Sequence, residues 1–289
     1  TLAGANTYTG TTTVRAGTLA LGAPERLANG SRLAVSGGTL DLATFTETVA
    51  GVQLTGGTIA NGTLASASNF DLQAGVASAV LAGTTAAVGL DKTTPGLVTL
   101  GGANTYTGLT TVGAGTLALG AAERLANAGN LVVSGGSFDL GGATETVAGV
   151  RQTGGVITNG TLASASSFDM QAGVASAVLA GTTAGVGLAK TTTGTVTLSG
   201  ANTYLGVTTV SAGTLALGVA GERLADASAL VVSGGTLDLG TFTETLAGVR
   251  QTGGTIANGT LASASSFDMQ AGTASVVLAG TTASVGLIK

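Results

Sequence analysis

Three pairs of carboxylates recur along this chain at one fixed offset. Asp41 and Glu47, Asp139 and Glu145, and Asp238 and Glu244 each stand six residues apart. Two carboxylates held roughly 5–9 Å apart can serve as general acid and base in sugar cleavage. The same residues also read as solvated charges that keep a sheet surface soluble. Triplication favours the second reading, because an active site is normally built once whereas surface decoration repeats. A further acid, Asp71, returns as Asp169 and Asp268 in the context Phe-Asp-Leu/Met-Gln. Calcium asks for about six to eight oxygens, usually from several carboxylates, and the Gly-Gly-x-Gly-x-Asp pattern of calcium-binding β-rolls is missing. No metal site is expected.

Glu25-Arg26, Glu123-Arg124 and Glu222-Arg223 suit either a recognition patch or, more simply, an exposed loop with a weak ion pair. Asn61-Gly62-Thr63, repeated at Asn159 and Asn258, fits an N-glycosylation sequon, but Asn-Gly is also an ordinary turn, and the turn is preferred. Tyr8, Tyr106 and Tyr204 can stack on sugars; appearing once per recurrence, they are expected to cover a corner of the fold instead.

Composition narrows the chemistry further. The 289 residues include no Cys, no His and no Trp. Disulfides, thiolate or imidazole metal sites and Cys/His nucleophiles are therefore excluded. The net charge of −4 is spread thinly, without a basic stripe, so no nucleic acid partner is expected. No apolar run approaches the ~20 residues that cross a bilayer, so this segment is not expected to insert into a membrane. No glycine-rich loop follows a long strand and opens a helix, and no nucleotide or other cofactor is expected. With 44% hydrophobic and 8% charged residues the chain is too apolar to be a disordered tail. Its 50 Gly and 2 Pro, without a Gly-X-Y period, exclude collagen.

The elements that carry these residues repeat. Ala5-Asn6-Thr7-Tyr8 returns at Ala103 and Ala201, a step of 98 residues, and Asn61-Gly62-Thr63-Leu64 returns after 98 and then 99. The extra residue falls in Leu217–Glu222, and an insertion accepted there marks a surface turn. The expected units are 1–98, 99–196 and 197–289, forming one continuous solenoid. Within a unit, stretches of three to five residues alternate apolar and polar positions and end at Gly or Asn, as in Val196-Thr197-Leu198, Thr208-Thr209-Val210 and Leu230-Val231-Val232. No window carries a helical stripe. Strands this short, with irregular Gly spacing, satisfy their backbone groups if the chain coils and each strand pairs with one a full turn later. The prediction is an all-β, right-handed parallel β-helix with about three strands per rung and about four rungs per unit. Leu19, Leu21, Val35, Leu40 and Leu42 are expected to point inward.

The stretch from Leu100 to Gly120, Leu-Gly-Gly-Ala-Asn-Thr-Tyr-Thr-Gly-Leu-Thr-Thr-Val-Gly-Ala-Gly-Thr-Leu-Ala-Leu-Gly, closely resembles the autotransporter-associated β-strand repeat. It occurs three times, starting near Leu2, Leu100 and Leu198, and departs from the pattern at Leu205, where the other copies have Thr9 and Thr107. Ser134–Leu140 and Thr144–Val147 are similar to the segments between such repeats. The resemblance implies a passenger displayed at or secreted from the bacterial outer surface.

The sequence favours a structural extracellular protein, a stalk, spacer or filament subunit, over an adhesin that binds surface carbohydrate or host protein through its repeated face. An enzyme ranks last. The chain begins with Thr1 and reads as part of a longer array. Its two ends are in phase, and end-to-end self-association is expected.

Overall fold

The computed structural model describes residues 1–219 and 221–289. Among them there is no helix: the protein is all-β, its parallel strands stacked as a β-solenoid of about 15 turns. The chain forms two compact units, Thr1–Ala148 and Gly149–Lys289, a division that falls inside the second 98-residue repeat.

In the first unit, one face is built from Thr12–Val14, the leading halves of the ten-residue strands Arg32–Asp41 and Gly51–Ala60, and then Phe70–Leu72, Leu90–Lys92, Thr110–Val112 and Asn130–Val133. Every pairing is parallel. The ladder runs Thr12, Leu33, Val52, Phe70, Leu90, Thr110, with steps of 21, 19, 18, 20 and 20 residues. One 98-residue period, Thr12 to Thr110, therefore makes five turns, which corrects the expectation of about four. The turns are shorter than assumed because the corners are tight. At Gly115 the backbone has φ +64°, and a Cβ there would meet Gly96 O at 2.4 Å and Lys92 Nζ at 2.6 Å. Only glycine fits such a corner, since positive φ and close approach both exclude a side chain.

A second face follows through Thr18–Ala20, the trailing halves of the two long strands, Gly75–Ala77, Leu97–Leu100, Thr116–Leu119 and Ser137–Asp139. The third face is discontinuous. Thr46–Val49, Thr63–Ser66 and Val80–Gly83 stack in register, but the next strand on this face is Thr144–Val147, so two of every five turns lack one. The count of three strands per turn holds for the other three turns.

Alternation places one side of each strand inside. Leu21, Val35, Leu40 and Leu42 are buried as expected, and Phe70 and Phe138 fill the interior beside them. Leu19 is only half-buried, although its counterparts Leu117 and Leu215 are fully buried. Burying each such leucine contributes about 1.5–3 kcal/mol.

The second unit repeats this plan. Its first-face ladder runs Phe168, Leu188, Thr208, Leu230, Val249, with steps of 20, 20, 22 and 19. The 22-residue step replaces the 21 residues between Thr110 and Leu131 in the first unit and absorbs the inserted residue whole. Ala220, within that expected insertion, lies outside the described residues.

Candidate functional site

The paired glutamates singled out in the sequence act on the third face, at the two turns that lack a strand. There the main chain leaves the sheet, and the backbone groups of the turns on either side need other partners. An asparagine and a glutamate supply them. Asn104 Oδ1 accepts from Leu81 N at 2.8 Å on one side, and its Nδ2 and backbone N donate to Arg124 O at 2.8 and 3.1 Å on the other. On the following turn, the Glu145 carboxylate accepts from Arg124 N at 2.7 Å and Leu125 N at 2.8 Å. Two side chains thus splint the gap between one strand and the next. In the second unit Asn202 bridges Leu179 N and Arg223 O, and Glu244 accepts from Arg223 N and Leu224 N. Glu47 does the same for Arg26 N and Leu27 N.

This overturns the reading of the glutamates as solvated charges, because Glu47, Glu145 and Glu244 are fully buried. Burial pushes the Glu145 carboxyl up to about 7 and Glu244 up to about 8, against the two backbone N–H bonds that favour the ionised form. Glu47 is raised for the same reason. The neighbouring glutamates, Glu25, Glu123 and Glu222, add like-charge repulsion.

The aspartates of the pairs do a separate job. Asp41 Oδ1 accepts from Ala43 N and Asn61 Nδ2, both at 2.8 Å, and these bonds hold its carboxyl below the usual range. Asp139 and Asp238 cap the same turn through Gly141 N and Gly240 N. The two carboxylates of each pair thus go to different partners, and the geometry does not assemble them as acid and base.

The charged dipeptides also differ from expectation. Glu25 accepts from Thr48 Oγ1 at 2.9 Å, while Arg26 donates to Pro24 O and Ala3 O. Each side chain fastens a neighbouring turn rather than forming a weak pair with the other. Asn61 and Gly62, with φ +59° and +50°, form the expected turn, and Asn258 and Gly259 match it. Asp71 accepts from Gln53 and Gln73, whereas Asp169 and Asp268 face Arg151 and Arg250 at 4.0 and 3.3 Å. Among the described residues no three potential metal ligands gather.

Tyr106 and Tyr204 are buried at the corner, hydrogen-bonded to Thr110 and Thr208 and packed on Phe70 and Phe168 at centroid distances of 5.8 and 6.0 Å. Each phenylalanine lies 36 residues ahead of its tyrosine, and Tyr8 is 45% exposed.

Sequence reasoning missed a second set of buried polar groups. Lys92 Nζ donates to Thr94 O and Ala114 O, and Lys190 Nζ to Thr192 O and Ala212 O. Both lysines are fully buried, which lowers their pKa. At an equivalent inner corner Gln152 Nε2 donates to Gly155 O and Val174 O, and Gln251 acts alike. The corners turn carbonyls inward, and these long donors satisfy them. The signal was present: the chain's only three lysines are Lys92, Lys190 and Lys289, one per period.

In this parallel solenoid the buried glutamates, the two buried lysines and the buried asparagines brace backbone of neighbouring turns. The passenger-associated-transport-repeat family matches it at residues 1–21, 90–119 and 188–217. No curated protein and no solved structure matches the chain. The three matched segments and the β-solenoid together match an autotransporter passenger with β-repeats, a class of secreted or surface-exposed protein.

Proposed function

We propose that this chain is a structural scaffold, a stalk or spacer of the bacterial outer surface or its matrix, with no catalytic activity of its own. The observation that carries this reading is the repetition of the splints. The groups best suited to chemistry, the buried glutamates and lysines, hold backbone in the same way in successive repeats. A fully buried carboxylate with both oxygens engaged by backbone N–H groups is poorly placed to reach a substrate proton. The same proposal extends to end-to-end self-association. Repeats present identical ladder registers, Leu90 to Thr110 and Leu188 to Thr208, so turns of separate copies are geometrically compatible.

Electron microscopy of the purified protein tests the scaffold, with thin rods or filaments expected and compact globules contradicting it. Incubation with plant and bacterial polysaccharides should release neither reducing nor unsaturated ends. Release abolished by Glu145→Gln would overturn the non-enzymatic reading. An adhesive role would use outward polar groups, either those that recur along the repeated face or a set confined to one repeat, and the first repeat carries such a set.

A further inference from the structure

On the first face of the first unit an open trough of about 190 Å³ lies across neighbouring turns. Two outward columns of side chains form it. In one, Ala34, Gln53 and Asp71 are successive ladder partners. In the other, two residues upstream, Arg32 pairs with Gly51, and Asn69 stands on the next turn. Gly51 gives the trough its depth: a Cβ there would come within 2.7 Å of Ser68 Oγ and 3.8 Å of Arg32 Nη1.

The rim carries free hydrogen-bonding capacity. Arg32 is exposed, and its guanidinium has no partner among the described residues. Asp71 receives Gln53 Nε2 at 2.8 Å and Gln73 Nε2 at 2.9 Å, both on Oδ2. Asn69 is fixed by Asp91 Oδ2 at 2.9 Å and Gly89 N at 2.9 Å. The other repeats lack this arrangement. Asn130 and Ala229 occupy the position of Arg32, and Arg151 and Arg250 occupy that of Gln53, where each faces its own aspartate. In the first repeat the cation has moved one column sideways and stands unpaired across the trough from a carboxylate.

We propose that this trough binds an acidic oligosaccharide of the uronate type. The sugar carboxylate pairs with the Arg32 guanidinium, whose planar fork matches it through two parallel N–H···O bonds. Ring hydroxyls donate to the Asp71 carboxylate and accept from the amide of Gln53. No aromatic platform is present, so affinity rests on the charged pair, and binding is weak and sensitive to salt. The inference goes beyond the scaffold reading and stands independently of it, since a spacer and a compact protein alike can carry one glycan site.

Titration of the whole chain with oligogalacturonate, followed calorimetrically and by NMR, tests the proposal. Saturable binding is expected, reduced at least about tenfold by Arg32→Ala, partly restored by Arg32→Lys and weakened by Ala34→Leu, which fills the trough without touching charge. The fully methyl-esterified oligomer should not bind, and Arg15→Ala should leave binding unchanged. Arg32 is exposed, so a β-type circular dichroism spectrum should persist in every variant. Absence of binding, equal binding of the ester, or equal losses in the Arg32 and Arg15 variants would each overturn the site.

Discussion

Two kinds of turn alternate on the third face, and they reach the same end by different means. Where Thr46–Val49, Thr63–Ser66 and Val80–Gly83 stack, the main chain satisfies itself, residue against residue, and outward side chains are incidental. Where the strand is missing, only scattered backbone bonds such as Thr105 N to Leu81 O remain, and one carboxylate and one amide supply the others. Backbone ladders spread their stabilisation over many bonds, whereas splints concentrate it in single side chains. The strand-bearing turns should therefore tolerate substitution, and the splinted turns should not.

The largest effect sets the ceiling for that comparison. Leu117 lies on the second face, common to all turns, and is fully buried. Leu117→Asp should cost upwards of about 4 kcal/mol or prevent folding, because it buries an unpaired charge in the shared core. Chemical denaturation measures it, and an unchanged midpoint would show that the inside of the solenoid is wrongly assigned.

Next come the splints. Glu145→Ala leaves the N–H groups of Arg124 and Leu125 without acceptors and should cost about 3 kcal/mol; Asn104→Ala should cost about 2 kcal/mol. Values near zero from the same denaturation curves would mean that water replaces these side chains, and the contrast between the turns would collapse.

The pH profile sharpens the comparison, since splints titrate and backbone ladders do not. The folded pKa values of Glu145 and Glu244, about 7 and about 8, lie above the ordinary glutamate value of 4.5. The native state then binds protons that the unfolded chain has released. The resulting stability is fully present below about pH 4.5 and is lost as pH rises through about 7 to 8. Thermal melts should give a higher Tm at pH 5 than at pH 8.5, and the difference should shrink in the Glu145→Gln/Glu244→Gln double variant. A Tm that rises across that window would mean that the backbone N–H bonds outweigh burial.

The smallest effect is the control. Thr63→Ala changes an outward side chain in a strand-bearing turn and should shift stability by less than about 0.5 kcal/mol. A cost equal to that of Asn104→Ala would erase the distinction.

Much of this architecture was legible in the chain. Alternation such as Thr-Leu-Ala-Leu at 116–119 fixes which side chains turn inward, and glycine at the corners fixes where strands stop. The 98-residue step, read from Asn6, Asn104 and Asn202, points to the solenoid, although nothing in the sequence assigned those asparagines a role. All six glutamates of the chain also fall at just two positions of the repeat, a hint that they have one job each.

The tertiary structure alone decided what that job is. Glu145 meets Arg124 N and Leu125 N across 21 and 20 residues of chain, a distance set by turns of unequal length. Local pattern gives the period of a strand but not the circumference of a turn, so the sequence could neither count five turns per repeat nor bring the glutamate inside. The lysines follow the same rule: Lys92 reaches one carbonyl 2 residues away and another 22 residues away, and only the second, one full turn above, shows why a cation belongs in the core. Spacing along the chain determined what repeats; the register between turns determined what is buried, because a backbone group left unsatisfied by its own strand is answered only by whatever the next turn places beside it.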